Sequence, residues 1–570
     1  MSGLLPNWLA PLPRAWAQHA TWRVLDVSGN TDALLALHRA VFRAAPPPPR
    51  PAPPAVLHYV LVLSDAQALQ TQAPAAWQPC LQGLLPGVHR LALEGGALQL
   101  TLWLGPPQSV LRQQSMVADT ILIGSAEGAS AWLAPHALKP LLRHCQRGTQ
   151  FLGAAHAALA TLLAKNGCTI APETPALHAR FDPPWTLRKT PPPSAPPSTA
   201  LVIGAGLAGS SAAWSLAQRG WHVTVLGQGA APADGASGLP AGLFCPHTSP
   251  DDCVLSRLSR AGLQTLLPRL EQLCQRDHDW AQSGVLEHDA LQTSYLAWKN
   301  GPGLAWSQAA TATQCVAAGL PPDARAVWHH RAGWLRPAAL VAAQLKHPRI
   351  RFIGQAPVAQ LRHEGGQWQA KDAQGQPLAA GANIAIVAAG MGSSAFLPAL
   401  WRLQALRGQV TVGPADNAAA LPPFPVNGSG NLVPQVPGPD GAFWVMGSTF
   451  ERDVSALPVS AADQASAHAH NLGKLAQLLP ATAQQLQAAF TPGDPACQPT
   501  WARVRVASHD RLPIVGPVLP SLGLFALTAL GARGITLAAL CGELLAAQLH
   551  AEPLPLEAQL AQHLGTHRLG

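Results

Sequence analysis

Nine residues, Leu201 to Gly209, join a short apolar run to glycines with the spacing Gly-x-Gly-x-x-Gly. The apolar run predicts a buried strand, and the residues after Gly209 have the spacing of a helix. Gly204 permits a tight turn, Gly206 lets the backbone approach a pyrophosphate, and Gly209 lets the helix lie close to the strand. The N-terminus of that helix stabilises negative charge. Because both flanking elements can be identified, the spacing predicts a dinucleotide site rather than a plain structural turn.

The elements around this turn are small-residue loops and short apolar strands. A second strand, Trp221–Leu226, ends in Gly227-Gln228, where such strands usually carry an acid for the adenosine ribose. We therefore expect the backbone or Gln228 to hold the ribose. The small residues of the loop 235–238 suit a close approach to phosphate or flavin. The strand Asn383–Ala389 closes beside Gly390, as late strands of FAD-binding Rossmann domains do.

The C-terminal part carries the residues best suited to chemistry. Arg503 and Arg505 follow Trp501, and the strand Gly523–Leu530 leads through the turn Gly531-Ala532-Arg533-Gly534 into an apolar helix, Ile535–Leu549. The helix N-terminus can stabilise negative charge at the pyrimidine side of a reduced flavin. The alternative is a strand, turn and helix that only pack together.

Length and composition indicate several globular domains. The chain has 570 residues, of which 48% are hydrophobic and 12% charged. We predict a first module over residues 1–185, a Pro-rich linker over 186–198 and a second module over 199–570. Nine scattered cysteines without a Cys-x-x-Cys pair favour reduced thiols in the cytoplasm and no metal site. We find no signal peptide and no continuous apolar run of about 18 residues, so we expect no membrane association.

Basic residues are concentrated in the first third of the chain. Residues 1–190 contain 14 lysines and arginines against 8 acidic residues, and the remainder contains 23 against 21. A basic module suggests a polyanionic partner, although a basic solvated surface would have the same composition.

The first module alternates predicted strands with predicted helices, which favours a parallel α/β sheet. The strands are Trp22–Val27, His58–Leu63, Leu98–Leu104 and Thr120–Ile123, and the helices are Asp32–Ala44, Ala137–Cys145 and Ala154–Lys165. Residues 46–54 form a Pro-rich loop in this scheme.

The second module resembles the D-amino acid oxidase and glycine oxidase type of FAD-dependent amine oxidoreductases over residues 199–550. The glycine motif, a Trp-Ala-x-Leu-Arg-like segment at 501–505, a Pro-x-x-Gly and the turn 531–534 all have counterparts in that family. More narrowly, it resembles the oxidoreductase half of the MnmC family of bifunctional tRNA modification enzymes. The segments that carry this resemblance are the loop 235–242, Gly333-Trp334-Leu335-Arg336-Pro337, Arg407-Gly408-Gln409-Val410 and Arg533-Gly534-Ile535-Thr536.

The resemblance implies an FAD-binding Rossmann domain with an interleaved substrate domain. It implies oxidation of carboxymethylaminomethyl-uridine at the tRNA wobble position, which leaves aminomethyl-uridine and glyoxylate. Arg505 matches the family's substrate-anchoring arginine; a surface arginine on a strand is the alternative, and Arg533 is a second candidate. The implied partner is tRNA, and we expect a monomer. The residues expected to bind FAD are Gly204, Ala205, Gly206, Leu207, Ala208, Gly209, Ser237, Gly238, Gly390, Gly531, Arg533, Gly534, Ile535 and Thr536.

The first module resembles the methyltransferase half of that family more faintly, in its framework strands. Where the family has a Gly-x-Gly-x-Gly loop for S-adenosylmethionine, Ser28, Asn30 and Asp32 replace the three glycines. A second family segment, Asp-Gly-Phe-like, corresponds to Ile123-Gly124-Ser125-Ala126. Side chains in the loop would fill space that the cofactor needs. We therefore expect a degenerate Rossmann-like methyltransferase fold that does not use S-adenosylmethionine and docks tRNA.

Three alternatives remain at this point. A small-molecule glycine or D-amino acid oxidase would share the flavin fold but lack the first module. A bifunctional enzyme would keep an active methyltransferase. A non-enzymatic tRNA-binding protein would have lost the flavin contacts, and the intact glycines at 204, 206 and 209 argue against it.

Overall fold

The computed structural model describes residues 5–17, 19–43, 56–171, 176–187, 196–288, 296–398, 401–416 and 421–569. The predicted Pro-rich loop at 46–54 and residues 188–195 of the predicted linker lie outside the described residues. The chain divides into two compact units. One contains residues 1–195 and 547–561, and the other contains residues 196–546 and 562–570.

The first unit is built on one mixed sheet. Its described strands lie in the order β3-β4-β2-β1-β5-β6-β8-β7; the central five, from β4 to β6, are parallel, and β3, β8 and β7 are antiparallel to their neighbours. The strands are β1 (Thr21–Asp26), β2 (Val56–Leu63), β3 (Gly87–Leu93), β4 (Leu98–Leu104), β5 (Ala118–Gly124), β6 (Cys145–Ala154), β7 (Cys168–Ile170) and β8 (Ala176–Phe181). The helices are α1 (Pro11–Ala17), α2 (Asp32–Phe42), α3 (Gln67–Gln72), α4 (Gln78–Leu81), α5 (Pro107–Gln113), α6 (Ala126–Ser130), α7 (Pro135–Leu142) and α8 (Ala157–Lys165).

Both faces of this sheet are buried, as a parallel sheet requires. Along β2, Leu57, Tyr59 and Leu61 join one apolar cluster, while Val60 and Val62 join the cluster on the other face. This alternation explains why β2 is apolar in sequence at every position except His58. The α/β prediction is confirmed, with errors at the ends of two predicted helices. Cys145 and Ala154, both predicted to be helical, begin and end strand β6, since α7 ends at Leu142 and α8 begins at Ala157.

Residues 547–561 return to the first unit, a connection that the sequence did not indicate. Glu552 lies 3.5 Å from Nη1 of Arg90 and 3.6 Å from Nε2 of His58, and all three side chains are buried. Arg23 also donates to the carbonyl oxygen of Ala551 at 3.3 Å. Such buried charges are tolerated because they are paired.

The second unit contains a Rossmann sheet with the strand order β17-β10-β9-β20-β28-β27, parallel except for β27. Antiparallel strands form a larger sheet, β14-β15-β13-β22-β23-β24-β21-β25, in which β26 pairs with β21 and only β13 and β22 are parallel. The smaller sheets are β11-β16-β12 and the hairpin β18-β19. The predicted Rossmann domain with an interleaved second domain is confirmed.

The bounds of its elements are as follows. The strands are β9 (Thr199–Ile203), β10 (His222–Leu226), β11 (Gly242–Phe244), β12 (Trp280–Ala281), β13 (Val285–His288), β14 (Ser307–Ala309), β15 (Ala326–His329), β16 (Gly333–Leu335), β17 (Ile350–Ile353), β18 (Gln360–Glu364), β19 (Gln367–Lys371), β20 (Ile384–Val387), β21 (Gln404–Pro414), β22 (Val426–Asn427), β23 (Asn431–Val436), β24 (Phe443–Gly447), β25 (Glu451–Arg452), β26 (Trp501–Ala507), β27 (Ile514–Leu519) and β28 (Leu524–Thr528). The helices are α9 (Leu207–Ala217), α10 (Val254–Leu273), α11 (Ala312–Ala317), α12 (Pro337–Leu345), α13 (Ala461–Leu478), α14 (Pro480–Gln485), α15 (Gly534–Leu549) and α16 (Ala558–Leu564).

Helix α15, with the turn before it, has the length and hydropathy of a membrane span. It is the one helix in the described part of the chain that does. Two thirds of its apolar window (67%) is buried inside the protein, and its side chains from Leu537 to Cys541 are almost completely enclosed. These properties are those of a core helix.

Candidate functional site

The glycine-rich turn lies between β9 and α9 and forms one wall of an open pocket of about 1220 Å³. Gly204 has φ +114°, and a Cβ there would collide with the carbonyl oxygen of Ala388 on the neighbouring segment. A Cβ on Gly209 would collide with the carbonyl oxygen of Gly204. A Cβ on Gly206 would meet only the Ser237 hydroxyl, at 2.9 Å. Gly204 and Gly209 are therefore required for the close packing of backbone segments, whereas Gly206 faces the pocket.

A buried ionic network holds helix α9 in place. Glu543 of α15 pairs with Arg219 at 3.0 Å and with Arg269 of α10 at 2.9 Å, and it accepts a hydrogen bond from Ser215 of α9. Burial and these two arginines act in opposite directions on the pKa of Glu543, and the net effect is a lowered pKa. The Arg269 guanidinium also lies 4.2 Å from the ring of Trp214 on α9. These contacts fix the helix whose N-terminus opens into the pocket.

Most of the predicted cofactor residues lie on the wall of this pocket. The pocket-lining residues among them are Gly204, Ala205, Gly206, Leu207, Ala208, Ser237, Gly390, Gly531, Gly534 and Ile535. Gly209, Gly238, Arg533 and Thr536 do not line it. Gly238 instead packs against the carbonyl oxygen of Ala233, and Thr536 is buried.

The wall next to strand β10 contains polar groups that suit a ribose. Gln228 and Asp234 both line the pocket, and the Asp234 carboxylate lies directly over Gly229. Arg503 donates to the Asp234 carbonyl oxygen at 3.0 Å. The sequence indicated Gln228 but not Asp234, because Asp234 lies eight residues beyond the end of the strand and only the fold brings it back.

Arg505 lies on β26 and also lines the pocket. Its Nη2 donates to Ser448 Oγ and to the carbonyl oxygen of Thr449, both at 3.3 Å, and its guanidinium lies 4.3 Å from the Phe450 ring. A Cβ on Gly408 would be 2.5 Å from Nη2, so the glycine leaves room for the guanidinium. Burial lowers the pKa of Arg505 to about 10, which leaves it charged at neutral pH.

Arg533 faces a different group of side chains from Arg505. Burial lowers its pKa, while the nearby groups of Cys253 and Glu287 oppose this effect. Cys245, Glu287 and His329 place one potential ligand atom each within 4.8 Å of one another. Glu287 is 3.4 Å from His329 Nε2 and accepts a hydrogen bond from Asn427 at 2.8 Å. Sequence spacing gave no sign of this group.

The turn of the first unit that corresponds to a nucleotide loop is occupied by its own side chains. Ser28 Oγ lies 3.4 Å from Asn30 Oδ1, which accepts from the Asp32 amide at 3.1 Å. A Cβ on Gly124 would be 2.5 Å from the Ser28 Cβ, so the serine already fills that space. Strand β2 ends in buried Leu63, where nucleotide-binding strands usually end in an acid.

Comparisons with known proteins agree with this geometry. The family model "FAD dependent oxidoreductase" matches residues 199–548. The bifunctional protein MnmC for tRNA 5-methylaminomethyl-2-thiouridine biosynthesis from Delftia acidovorans is 46% identical over 98% of this chain and 93% of its own length. The Paracidovorax citrulli protein of the same name is 45% identical with the same coverage.

Among solved structures, glycine oxidase from Geobacillus kaustophilus has the fold of the second unit. It aligns with a TM-score of 0.51 and 20% identity over 63% of this chain and 97% of its own. The chain therefore belongs to the FAD dependent oxidoreductase family and, over almost its whole length, to the family of the tRNA 5-methylaminomethyl-2-thiouridine biosynthesis bifunctional proteins.

Proposed function

We propose that this enzyme removes the carboxymethyl group from 5-carboxymethylaminomethyl-(2-thio)uridine at the tRNA wobble position. The products are 5-aminomethyl-uridine and glyoxylate. The observation that carries the proposal is Arg505, a half-buried cation on the wall of a dinucleotide pocket with no acidic partner among the described residues. The names of the relatives support tRNA as the substrate.

The reaction converts a secondary amine into an imine. Bound FAD supplies the acceptor for the hydride that leaves the carbon between nitrogen and carboxylate. The amine nitrogen loses its proton, and water then cleaves the imine, so the carboxymethyl carbons leave as glyoxylate. The substrate nitrogen stays on the uridine as a primary amine.

The protein's own residues position the two reactants. Gly206 and the N-terminus of α9 would hold the pyrophosphate of FAD, and the segment 531–535, which leads into α15, would stabilise negative charge on a bound flavin. Arg505 holds the substrate carboxylate through a planar, charged fork of N–H donors. In this proposal Arg505 binds the substrate and takes no part in the oxidation itself.

A small-molecule glycine oxidase remains the second candidate. The whole fold of the second unit supports it equally, since glycine oxidase has that fold. The first unit favours a tRNA substrate, because it carries the excess of basic residues. We further propose a monomer that works in the cytoplasm, consistent with nine free cysteines.

The test is reduction of the flavin without oxygen. FAD-loaded protein mixed anaerobically with tRNA that carries carboxymethylaminomethyl-uridine should lose its oxidised flavin absorbance and release one glyoxylate per flavin. Glycine and sarcosine should bleach the flavin far more slowly. Faster reduction by the amino acids than by the tRNA would establish the small-molecule oxidase instead.

We also propose that the first unit no longer methylates. S-adenosylmethionine does not fit the loop, because Ser28 fills the space next to Gly124. The unit then serves to dock tRNA. The relatives are named bifunctional, so this point calls for a direct test.

Incubation with S-adenosylmethionine and tRNA bearing aminomethyl-uridine should yield no methylaminomethyl-uridine. Binding of S-adenosylmethionine to the whole protein, followed by calorimetry, should also be undetectable. Product formed at enzymatic rates would show that the side chains at 28, 30 and 32 leave the cofactor site open.

A further inference from the structure

Two neighbouring cations of the second unit contact the same residue. Lys474 of α13 donates from Nζ to the backbone carbonyl oxygen of Ser448 at 2.7 Å, and Arg505 donates from Nη2 to the hydroxyl of Ser448 at 3.3 Å. Both side chains are half-buried. Burial lowers the pKa of Lys474, and the positive charge of Arg505 lowers it further. The positive charges of Lys474 and Arg505 therefore repel each other in an environment that is partly shielded from water.

Other buried arginines of this unit have carboxylate partners. Arg269 pairs with Glu543, Arg260 with Asp252, and Arg407 with Glu451 at 2.5 Å. Glu451 is the carboxylate closest in sequence to Ser448, which it follows by three residues. Because Glu451 already pairs with Arg407, it does not neutralise Lys474 or Arg505. Among the described residues, no carboxylate forms an ion pair with Lys474 or Arg505.

Desolvated charges without a counterion are costly, and proteins usually pair them. The buried Nε of Arg505 has no hydrogen-bond partner in the described structure, so its N–H group is free to donate to a ligand. An anion placed here would receive donors from both residues and cancel their repulsion. The arrangement has the properties of a ligand site whose anion arrives with the substrate.

We propose that Lys474 and Arg505 together bind the carboxylate of the substrate's carboxymethyl group, Lys474 being a second anchor that the sequence did not reveal. This inference rests on the proposed function for the identity of the anion. Arg505 supplies the planar fork, and Lys474 supplies a compact ammonium from a different element. A phosphate group of the tRNA has related chemistry and is the alternative source of the anion.

Binding of a small unreactive carboxylate separates this site from catalysis. Methoxyacetate copies the carboxymethylamine with oxygen in place of nitrogen. It is titrated into the FAD-loaded full-length protein while the flavin absorbance is followed, with methoxyacetamide as the uncharged counterpart. We compare the parent with Lys474→Gln, which can still donate to the Ser448 carbonyl oxygen, and with Lys474→Arg, which keeps the charge.

We expect Lys474→Gln to raise the Kd of methoxyacetate by about tenfold or more, the loss typical of a hydrogen bond to a charged group. Lys474→Arg should stay within about threefold of the parent, and methoxyacetamide should bind all forms equally weakly. The matched control is Lys371→Gln, since Lys371 pairs with Glu364 on the separate hairpin β18–β19. All variants should retain FAD.

An unchanged Kd in Lys474→Gln, or no saturable methoxyacetate response in the parent, overturns the proposal. Tighter binding of inorganic phosphate than of methoxyacetate, lost in Lys474→Gln, overturns the carboxylate assignment in favour of a tRNA phosphate. Charge-dependent methoxyacetate binding without oxidation of the modified tRNA would keep the anion site and reject the proposed substrate, so the two failures are distinguishable.

Discussion

Both units contain a parallel strand that leads through a turn into a helix, yet the two turns are built differently. In the second unit, the turn 204–209 leaves backbone facing a pocket and places its glycines where side chains would collide with carbonyl groups. In the first unit, the side chains of Ser28 and Asn30 occupy the turn 26–32, where they contact each other and the backbone. The same local topology therefore carries a glycine-lined turn that opens into a pocket in one unit and a turn occupied by side chains in the other, and glycine content accounts for the difference.

Adding a methyl group at Gly209 should have the largest effect. In Gly209→Ala the new Cβ would collide with the Gly204 carbonyl oxygen, a backbone atom that cannot move aside. We expect a loss of bound FAD together with destabilisation of about 3 kcal/mol, the upper range for overpacking. The measurements are the flavin absorbance of the purified protein and urea unfolding. Gly473→Ala is the control, because a Cβ on this helical glycine has no neighbour within 4 Å.

Gly206→Val separates binding from folding in the same turn. A Cβ at this position would meet only the Ser237 side chain and the residue lines the pocket, so we expect folded protein without FAD. Full flavin content in this variant would place the pyrophosphate elsewhere and weaken the contrast between the two turns.

Substitution of Arg505 should have the next largest effect. Arg505→Ala should lower kcat/KM for the modified tRNA by about 100-fold, because the buried substrate carboxylate would lose the planar fork of N–H donors and keep only Lys474 as a cationic partner. Arg505→Lys keeps the charge without the fork and should lose about tenfold. FAD content should remain at the parental value, and exposed Arg452→Ala is the control. Loss of flavin, or turnover at the parental rate, would make Arg533 the better anchor.

Asp26 should make the closed turn sensitive to pH. Its carboxylate is fully buried, accepts hydrogen bonds from Tyr59 at 2.5 Å and the Ser28 amide at 2.9 Å, and has its pKa raised by burial from 3.8 to about 6. The folded state therefore holds this proton more tightly than the unfolded state. Stability from this group is greatest below pH 4 and decreases as the pH rises to about 6, by about 3 kcal/mol in total.

Asp26→Asn should remove that pH dependence, since an amide oxygen can still accept from Tyr59. Urea unfolding of the full chain at pH 4.5 and 7.5 measures it, with Asp32→Asn at the exposed end of the same turn as the control. An identical pH profile in parent and Asp26→Asn would show that the carboxyl is already ionised in the folded state.

Ser237→Ala should have the smallest effect. The Ser237 hydroxyl accepts from the Leu207 amide at 2.9 Å and so orders the first turn of α9. Loss of one such bond costs about 1 kcal/mol, and we expect the Kd of FAD to rise about fivefold. Equilibrium dialysis of FAD measures this change. A loss above about 100-fold would mean that Ser237 contacts the cofactor directly.

Local sequence patterns determined much of this protein. The glycines at 204, 206 and 209 predicted the turn because the steric demands of a nucleotide cradle are met by consecutive residues. The replacement of glycine by Ser28, Asn30 and Asp32 likewise indicated a turn whose space is occupied by side chains. The strands β4 and β10 were placed within one residue, since buried parallel strands are short apolar runs.

Tertiary structure alone decided the remainder, because the contacts join residues that are far apart in sequence. Lys474 and Arg505 meet at Ser448 from a helix and a strand, and no spacing rule connects them. Asp234 lines the pocket together with Gln228 because the loop that follows β10 folds back toward the pocket. Residues 547–561 belong to the first unit, where Glu552 lies beside the buried side chains of Arg90 and His58, which are more than 450 positions earlier in the chain. Long-range pairing of charges depends on packing that periodicity does not encode.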